Sequence, residues 1–287
     1  MLTNSEISKR PQVSIFAVVY RSVEYARYIN EVVHNSCPEI ATGEAEFFLV
    51  ANQPESELKA WLATSELSYL EYWPTSELSP ECGPNYLAGV YEAYNFGVNA
   101  ASGEIVIMLN SDMVPSPGWL KFMIDEFQPN DLLSPWLVEP FHPKYGVFPG
   151  AIEANFGRSP RTFEELGWSD FCLAGAVQLP ENASPPFMPV MVSKDQFLQL
   201  GGFPQGNLMV NGECVPADKN YFEKLVSTGM QHRFTSRPVY FYHFKEGEKR
   251  TETVFRIFSD SIPSLARKVK IDKLLHFLRR LRSKKLR

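Results

Sequence analysis

The chain has 287 residues, 44% hydrophobic and 21% charged, which supplies a sizeable core and excludes disorder as the default state. Its net charge of −5 hides a partition: residues 264–287 hold ten Lys/Arg and one acid, Asp272, so the remainder stands at −14, a balance that argues against a nucleic-acid-binding body. No run approaches the ~18 apolar residues of a spanning helix and no signal peptide is visible, while Cys37, Cys82, Cys172 and Cys214 form no CxxC and are expected as reduced thiols of a cytosolic protein.

Residues 13–20 (VSIFAVVY) form a β-branched apolar run, as expected of a strand buried on both faces of a parallel sheet. Residues 23–35 then carry apolar positions at helical spacing. Residues 46–51 (EFFLVA) make a second buried strand, followed by a turn at Pro54 and a helix over 55–63. A third strand is expected at 69–73, a helix at 86–101 stopped near Gly103, and a fourth buried strand at 104–109 (EIVIML). Asn110, Ser111 and Asp112 form a turn before a helix over 117–127, and 132–138 is expected as one strand. Residues 139–190 are rich in Pro, Gly and aromatics, with a short helix at 162–166. Helices follow at 193–200, closed by Gly201 and Gly202, and at 217–228, closed by Gly229. An aromatic strand at 239–244 delivers His243.

This alternation predicts an α/β fold with an open, mostly parallel sheet flanked by helices. The expected organisation is an N-terminal extension over 1–12, one catalytic domain over 13–260 and a basic amphipathic helix over 261–287. Ligands of such sheets bind beyond the carboxyl ends of the strands. That edge would carry Tyr20, Arg21, Asn52 and residues 110–112.

The phosphate-binding glycine motifs GxxxxGK[ST] and GxGxxG are missing, so bound phosphates need another positive charge, and a divalent cation held by carboxylates is the alternative. Asp112, in a turn after a buried strand, suits a metal ligand or the N-cap of the next helix. His243 reads as a packed core histidine or as a ligand; oxygen ligands plus one imidazole suit Mn²⁺, with Mg²⁺ as competitor. Asp218 opens a helix, as a first-turn acid favoured by the macrodipole or as a general base for an acceptor hydroxyl.

The stretch NYLAGVYEAYNFGVNAASGEIVIMLNSDMVPSPGWL resembles the central signature of family-two glycosyltransferases of the GT-A (nucleotide-diphospho-sugar transferase) fold. Its matches are an A-x-N-x-G helix (Ala93, Asn95, Gly97), A-x-G-E (Ala101, Gly103, Glu104), an apolar strand, a D-x-D-type motif at 110–112 and P-x-x-L (Pro117, Leu120). VSIFAVVYRS, MVSKDQFLQLGGFP, ADKNYFEKLVSTG and FYHFKEGEKR resemble further segments of that family, so the likeness runs from about residue 13 to 250.

The resemblance implies inverting, metal-dependent transfer of a sugar from a UDP-, GDP- or dTDP-sugar to a hydroxyl of a glycan or lipid-linked acceptor, in cell-surface polysaccharide or glycolipid synthesis. It implies Asp112 and His243 as ligands of Mn²⁺ or Mg²⁺ on the donor diphosphate, and Asp218 as the base. Asn95, Asn110 and Ser111 would face the donor, Tyr20, Arg21 and Asn52 its nucleobase end, and Lys245 and Arg250 the diphosphate. Asn110 stands where the family often has an acid, and Asn52 where it commonly has Asp. These departures keep a non-catalytic nucleotide-sugar- or carbohydrate-binding relative as a rival reading. A nucleotidyltransferase is the other rival, although its usual glycine-rich first loop is absent from YRSVEYARY. The basic tail reads either as an interfacial helix on an anionic membrane, which would hold the enzyme at the inner membrane face, or as a solvated helix packing its leucines on the body or another subunit.

Overall fold

A computed structural model of the chain describes residues 11–74, 80–83, 85–143, 146–175, 177–181 and 183–244. Lys245, Arg250, the helix expected over 261–287 and most of the extension over 1–12 lie outside the described residues.

The elements follow in chain order as β1 (Val13–Val19), α1 (Val23–Ser36), α2 (Pro38–Thr42), β2 (Ala45–Asn52), α3 (Ser56–Thr64), β3 (Tyr69–Tyr72), α4 (Asn85–Ala100), β4 (Ile105–Asn110), β5 (Met113–Pro115) and α5 (Trp119–Glu126). Then come β6 (Asp131–Ser134), β7 (Trp136–Glu139), β8 (Ile152–Glu153), α6 (Glu165–Ala174), β9 (Val190–Ser193), α7 (Lys194–Leu198), β10 (Leu208–Val210), β11 (Glu213–Val215), α8 (Ala217–Ser227), β12 (Gln231–Phe234) and β13 (Tyr240–His243).

The main sheet has seven strands in the order β12-β6-β9-β4-β1-β2-β3. All its pairings are parallel except those of β9, which runs antiparallel between β6 and β4. Every residue of β1 is buried, because the two-residue side-chain period feeds two cores. Ile15, Ala17 and Val19 join α1, α3 and α5 on one face. Phe16 and Val18 join α4, α7 and α8 on the other.

Ser14 is the polar exception in β1, and it is fully paired. Its hydroxyl donates to Glu46 Oε1 (2.5 Å) and accepts from the Gly103 amide (2.8 Å). A Cβ at Gly103 would lie 2.8 Å from the Ser14 nitrogen, and one at Gly97 would overlap the Phe16 ring. Both glycines therefore stand where α4 and the turn before β4 press against β1.

The sequence pattern does not reveal a second sheet of four strands, β5-β13-β7-β8. It collects chain that has just left the main sheet: β4 runs on into β5, β6 into β7, and β12 into β13. Residues 132–138 are accordingly two strands in two sheets rather than the single strand expected. Pro135, with no N–H to offer a ladder, marks the crossing. The helix expected at 162–166 is a 3₁₀ turn, Pro160–Thr162, followed by α6, and the one expected at 193–200 is β9 leading into α7.

The cysteines are a further correction. Cys82 and Cys214 form a disulfide across 132 residues of sequence, while Cys37 and Cys172 are free. The β10–β11 hairpin brings Cys214 back to the segment before α4, where Cys82 bridges Asn207; sequence spacing cannot show that approach. The four cysteines therefore do not argue for a reducing compartment. Among the described residues, no helix is long and apolar enough to cross a membrane.

Candidate active site

The parallel register sets the strand ends level. Val18 pairs with Asn110 and Val19 with Ala51, so Tyr20, Asn52 and the turn at 110–112 share the carboxyl edge, as the sequence predicts. The chain leaves β1 and β2 through two left-handed residues, Arg21 (φ 62°) and Gln53 (φ 48°). Non-glycine residues there carry local strain, which clusters at functional sites. The Arg21 guanidinium lies 4.6 Å from the centre of the Tyr20 ring and pairs with Glu55 at 2.8 Å. Asn52 is buried at the foot of this corner.

Asp112 does not cap the next helix: the N-cap of α5 is Gly118, with no side-chain hydrogen bond. Nor is His243 a plain core histidine. Tyr242 pairs with Val138 and His243 with Met113, so His243 sits beside Glu139 at the end of β7 and one residue from Asp112. The Phe244 amide donates to the Asp112 carbonyl (3.0 Å) and fixes that turn. Asp112 Oδ2 is 3.3 Å from His243 Nε2, and Glu139 Oε2 is 3.2 Å from His243 Nδ1. Both carboxylates are buried, at 5% and 2% exposure. Burial by itself would lower the His243 pKa, but Asp112 and Glu139 outweigh it and hold the imidazole at about 9. Sequence reasoning missed Glu139; its only signal was an acid closing an apolar strand in WLVE.

Asp218 lies in the first turn of α8 and accepts from the Lys219 amide (2.8 Å). Burial raises its pKa, partly offset by hydrogen bonds that include one with the Tyr91 side chain. Tyr91 is one turn along α4 from Tyr94, whose hydroxyl donates to Asn110 Oδ1 (2.6 Å). One face of α4 thus links the strand-end turn to the helix that carries Asp218. Ser111 is half-buried beside Asn110. Asn95 is not brought to this group. Its Nδ2 donates to the Phe203 carbonyl and its Oδ1 accepts from the Phe203 amide, both at 2.8 Å, so it clasps the loop before β10.

Among the described residues, no cluster of three or more His, Cys, Asp or Glu side chains is arranged to hold a metal ion. Two do fit a partial shell. Adjacent ligands of an octahedral cation at ~2.1 Å lie about 3 Å apart, close to the 3.3 Å between Asp112 Oδ2 and His243 Nε2. Cations bound to nucleotides take few protein ligands and complete the shell with phosphate oxygens and water.

The family model for Glycosyl transferase family 2 matches residues 84–165, which span α4, β4, the 110–112 turn and Glu139. No curated protein matches the sequence. Among solved structures, the chain is similar to a mannosyltransferase from Pyrobaculum calidifontis, solved with GDP-Man and Mn²⁺, at 14% identity and a TM-score of 0.46, covering 84% of this chain and 59% of that one. It is also similar to residues 1–349 of TarS from S. aureus, solved with UDP-GlcNAc, at 14% identity and a TM-score of 0.45, covering 80% of this chain and 58% of that one. The chain thus spans less than two thirds of either structure. Residues 84–165 thus match a glycosyl transferase family 2 segment, and the chain carries them on the largely parallel, helix-flanked sheet of a GT-A type fold.

Proposed function

We propose that the chain is a glycosyltransferase that moves a sugar from a nucleoside diphosphate donor to an acceptor hydroxyl, with inversion and with a divalent cation at Asp112 and His243. The observation that carries this reading is that Asp112, at the carboxyl edge of the parallel sheet and inside the family match, faces His243 from the end of β13. When bound there, Mn²⁺ or Mg²⁺ would offset the negative charge that grows on the diphosphate leaving group.

The chain's own residues supply the rest. Tyr20, Arg21 and Asn52 bind the nucleoside end of the donor at the β1–β2 corner, while Asn110 and Ser111 face its sugar or ribose. Asp218 accepts the proton of the acceptor hydroxyl as that oxygen attacks the anomeric carbon. The bond from that carbon to the diphosphate oxygen breaks, and the nucleoside diphosphate departs with the bonding electrons. Burial of Asp218 suits a base, because a raised pKa increases its affinity for the proton it must take. Lys245 and Arg250 neutralise the diphosphate in this reading, and the basic segment over 261–287 holds the enzyme against anionic lipid near a lipid-linked or glycan acceptor.

The test is a panel of UDP-, GDP- and dTDP-sugars incubated with Mn²⁺, with released nucleoside diphosphate as readout and product anomer read by NMR. Release from one donor class, absent without the cation, is expected. Pyrophosphate release instead would reassign the chain to nucleotidyl transfer. Tight donor binding without turnover would make it a binding protein.

A further inference from the structure

The strand-end group holds one more side chain than the proposed cation site needs. Glu139 reaches His243 from the side opposite Asp112, and its two oxygens have different partners. Oε1 accepts from the Phe148 backbone amide, which pins the carboxylate, and Oε2 lies 3.2 Å from His243 Nδ1. The backbone fixes both ends of this contact. Glu139 closes β7 and His243 closes β13, and those strands pair in parallel with Val138 opposite Tyr242. A carboxylate at that place accepts a hydrogen bond from Nδ1–H, so that a cation arriving between Nε2 and Asp112, which face each other at 3.3 Å, would displace the Nε2 proton and take that nitrogen's lone pair. Histidines that ligate metals generally have such a partner on the second nitrogen, which sets the tautomer and the ring orientation.

We infer that Glu139 is a positioning residue that fixes the Nδ1–H tautomer and ring orientation of His243, so that Nε2 and Asp112 together form a divalent-cation site. The inference rests on the cation site of the proposed function. It also explains why the residue is an acid rather than an amide. Two donors, the Phe148 N–H and His243 Nδ1–H, require two acceptor oxygens. A glutamine has one, and its NH₂ group would face either the amide or Nδ1.

The test uses full-length wild type, Asp112→Asn and Glu139→Gln, titrated with Mn²⁺ by electron paramagnetic resonance in the presence of a nucleoside diphosphate. Melting temperatures are taken in EDTA, and the His243 ring nitrogens are observed by long-range ¹H–¹⁵N NMR with Mg²⁺. The expected result is Mn²⁺ binding lost in Asp112→Asn and weakened about 10–100-fold in Glu139→Gln. The melting temperature of Glu139→Gln in EDTA should fall below that of wild type, since the metal-free imidazolium loses one of its two carboxylate partners, and Mn²⁺ affinities are therefore compared at a temperature where both proteins are folded. Wild-type His243 should show the Nδ1–H tautomer. Wild-type affinity in Glu139→Gln beside loss in Asp112→Asn would overturn the role of Glu139 and leave the cation site standing. An Nε2–H tautomer in the Mg²⁺-loaded wild type would overturn it even if Glu139→Gln failed to fold. Absence of Mn²⁺ binding to the wild type would remove the cation site and this inference together.

Discussion

In and around the main sheet, polar side chains are taken up by their immediate neighbours. Ser14 ties Glu46 to Gly103, Asn95 clasps Phe203, and Asn110 takes the Tyr94 hydroxyl. In the four-stranded sheet, two buried carboxylates share one imidazole. The first arrangement is satisfied by local hydrogen bonds, and the charged Asp131 of β6 is likewise paired with Arg233 of β12, which is what stability requires. The second concentrates ionisable groups at one edge, where strongly perturbed groups mark functional sites more often than structural ones. Tyr94 and Asn95 of α4 thus serve contacts within the fold, and the proposed chemistry begins where the chain leaves the main sheet.

The sharpest challenge to this division is Asp218, which sits on the main-sheet side yet is assigned a chemical role. Asp218→Asn should lower kcat about 10²–10⁴-fold with little change in donor KM, measured by nucleoside diphosphate release. In the wild type, activity should fall on the acid side at a pH above the ordinary Asp value, since burial raises this pKa and the base must be ionised. Asp112→Ala should cost about 10²–10³-fold in kcat, the size of losing one electrostatic contact to the developing charge, and leave far-UV circular dichroism unchanged. If either variant kept full activity, the site assignment would fall.

Asn95→Ala should do the reverse. It leaves the Phe203 amide and carbonyl without their partners, so urea denaturation should show a loss of about 2–3 kcal/mol, with donor affinity unaltered in the folded fraction. A change in donor affinity larger than the change in stability would return Asn95 to the binding site.

The metal-free protein offers a finer test of the four-stranded sheet. The folded-state pKa of His243 is raised to about 9 from 6.5, so its contribution is fully present below pH 6.5 and is lost as pH rises through 9. The drop is at most ~3 kcal/mol, and urea midpoints at pH 6 and 9.5 should show it in wild type and not in His243→Gln. The smallest effect concerns the tail: a chain truncated after Ser261 should keep its soluble activity and lose sedimentation with anionic vesicles. Equal sedimentation of the truncated and full-length chains would remove the membrane role.

The parallel strands β1 to β4 of the main sheet were legible in the sequence, whereas β9 and β12 were not. The runs VSIFAVVY, EFFLVA and EIVIML are too apolar and β-branched to sit anywhere but in strands covered on both faces. Strand-end logic then placed Tyr20, Asn52, Asn110 and Asp112 on one edge, since parallel strands end together. Asp112 and His243 were legible as separate candidates. Only the tertiary structure decided that they meet, that Glu139 joins them, that Asn95 serves the fold, and that Cys82 reaches Cys214. The reason is physical: local periodicity reports which face of an element is buried. Partners 104 or 131 positions apart in sequence, as in the Glu139–His243 and Asp112–His243 contacts, are chosen by strand pairing, which that periodicity does not report.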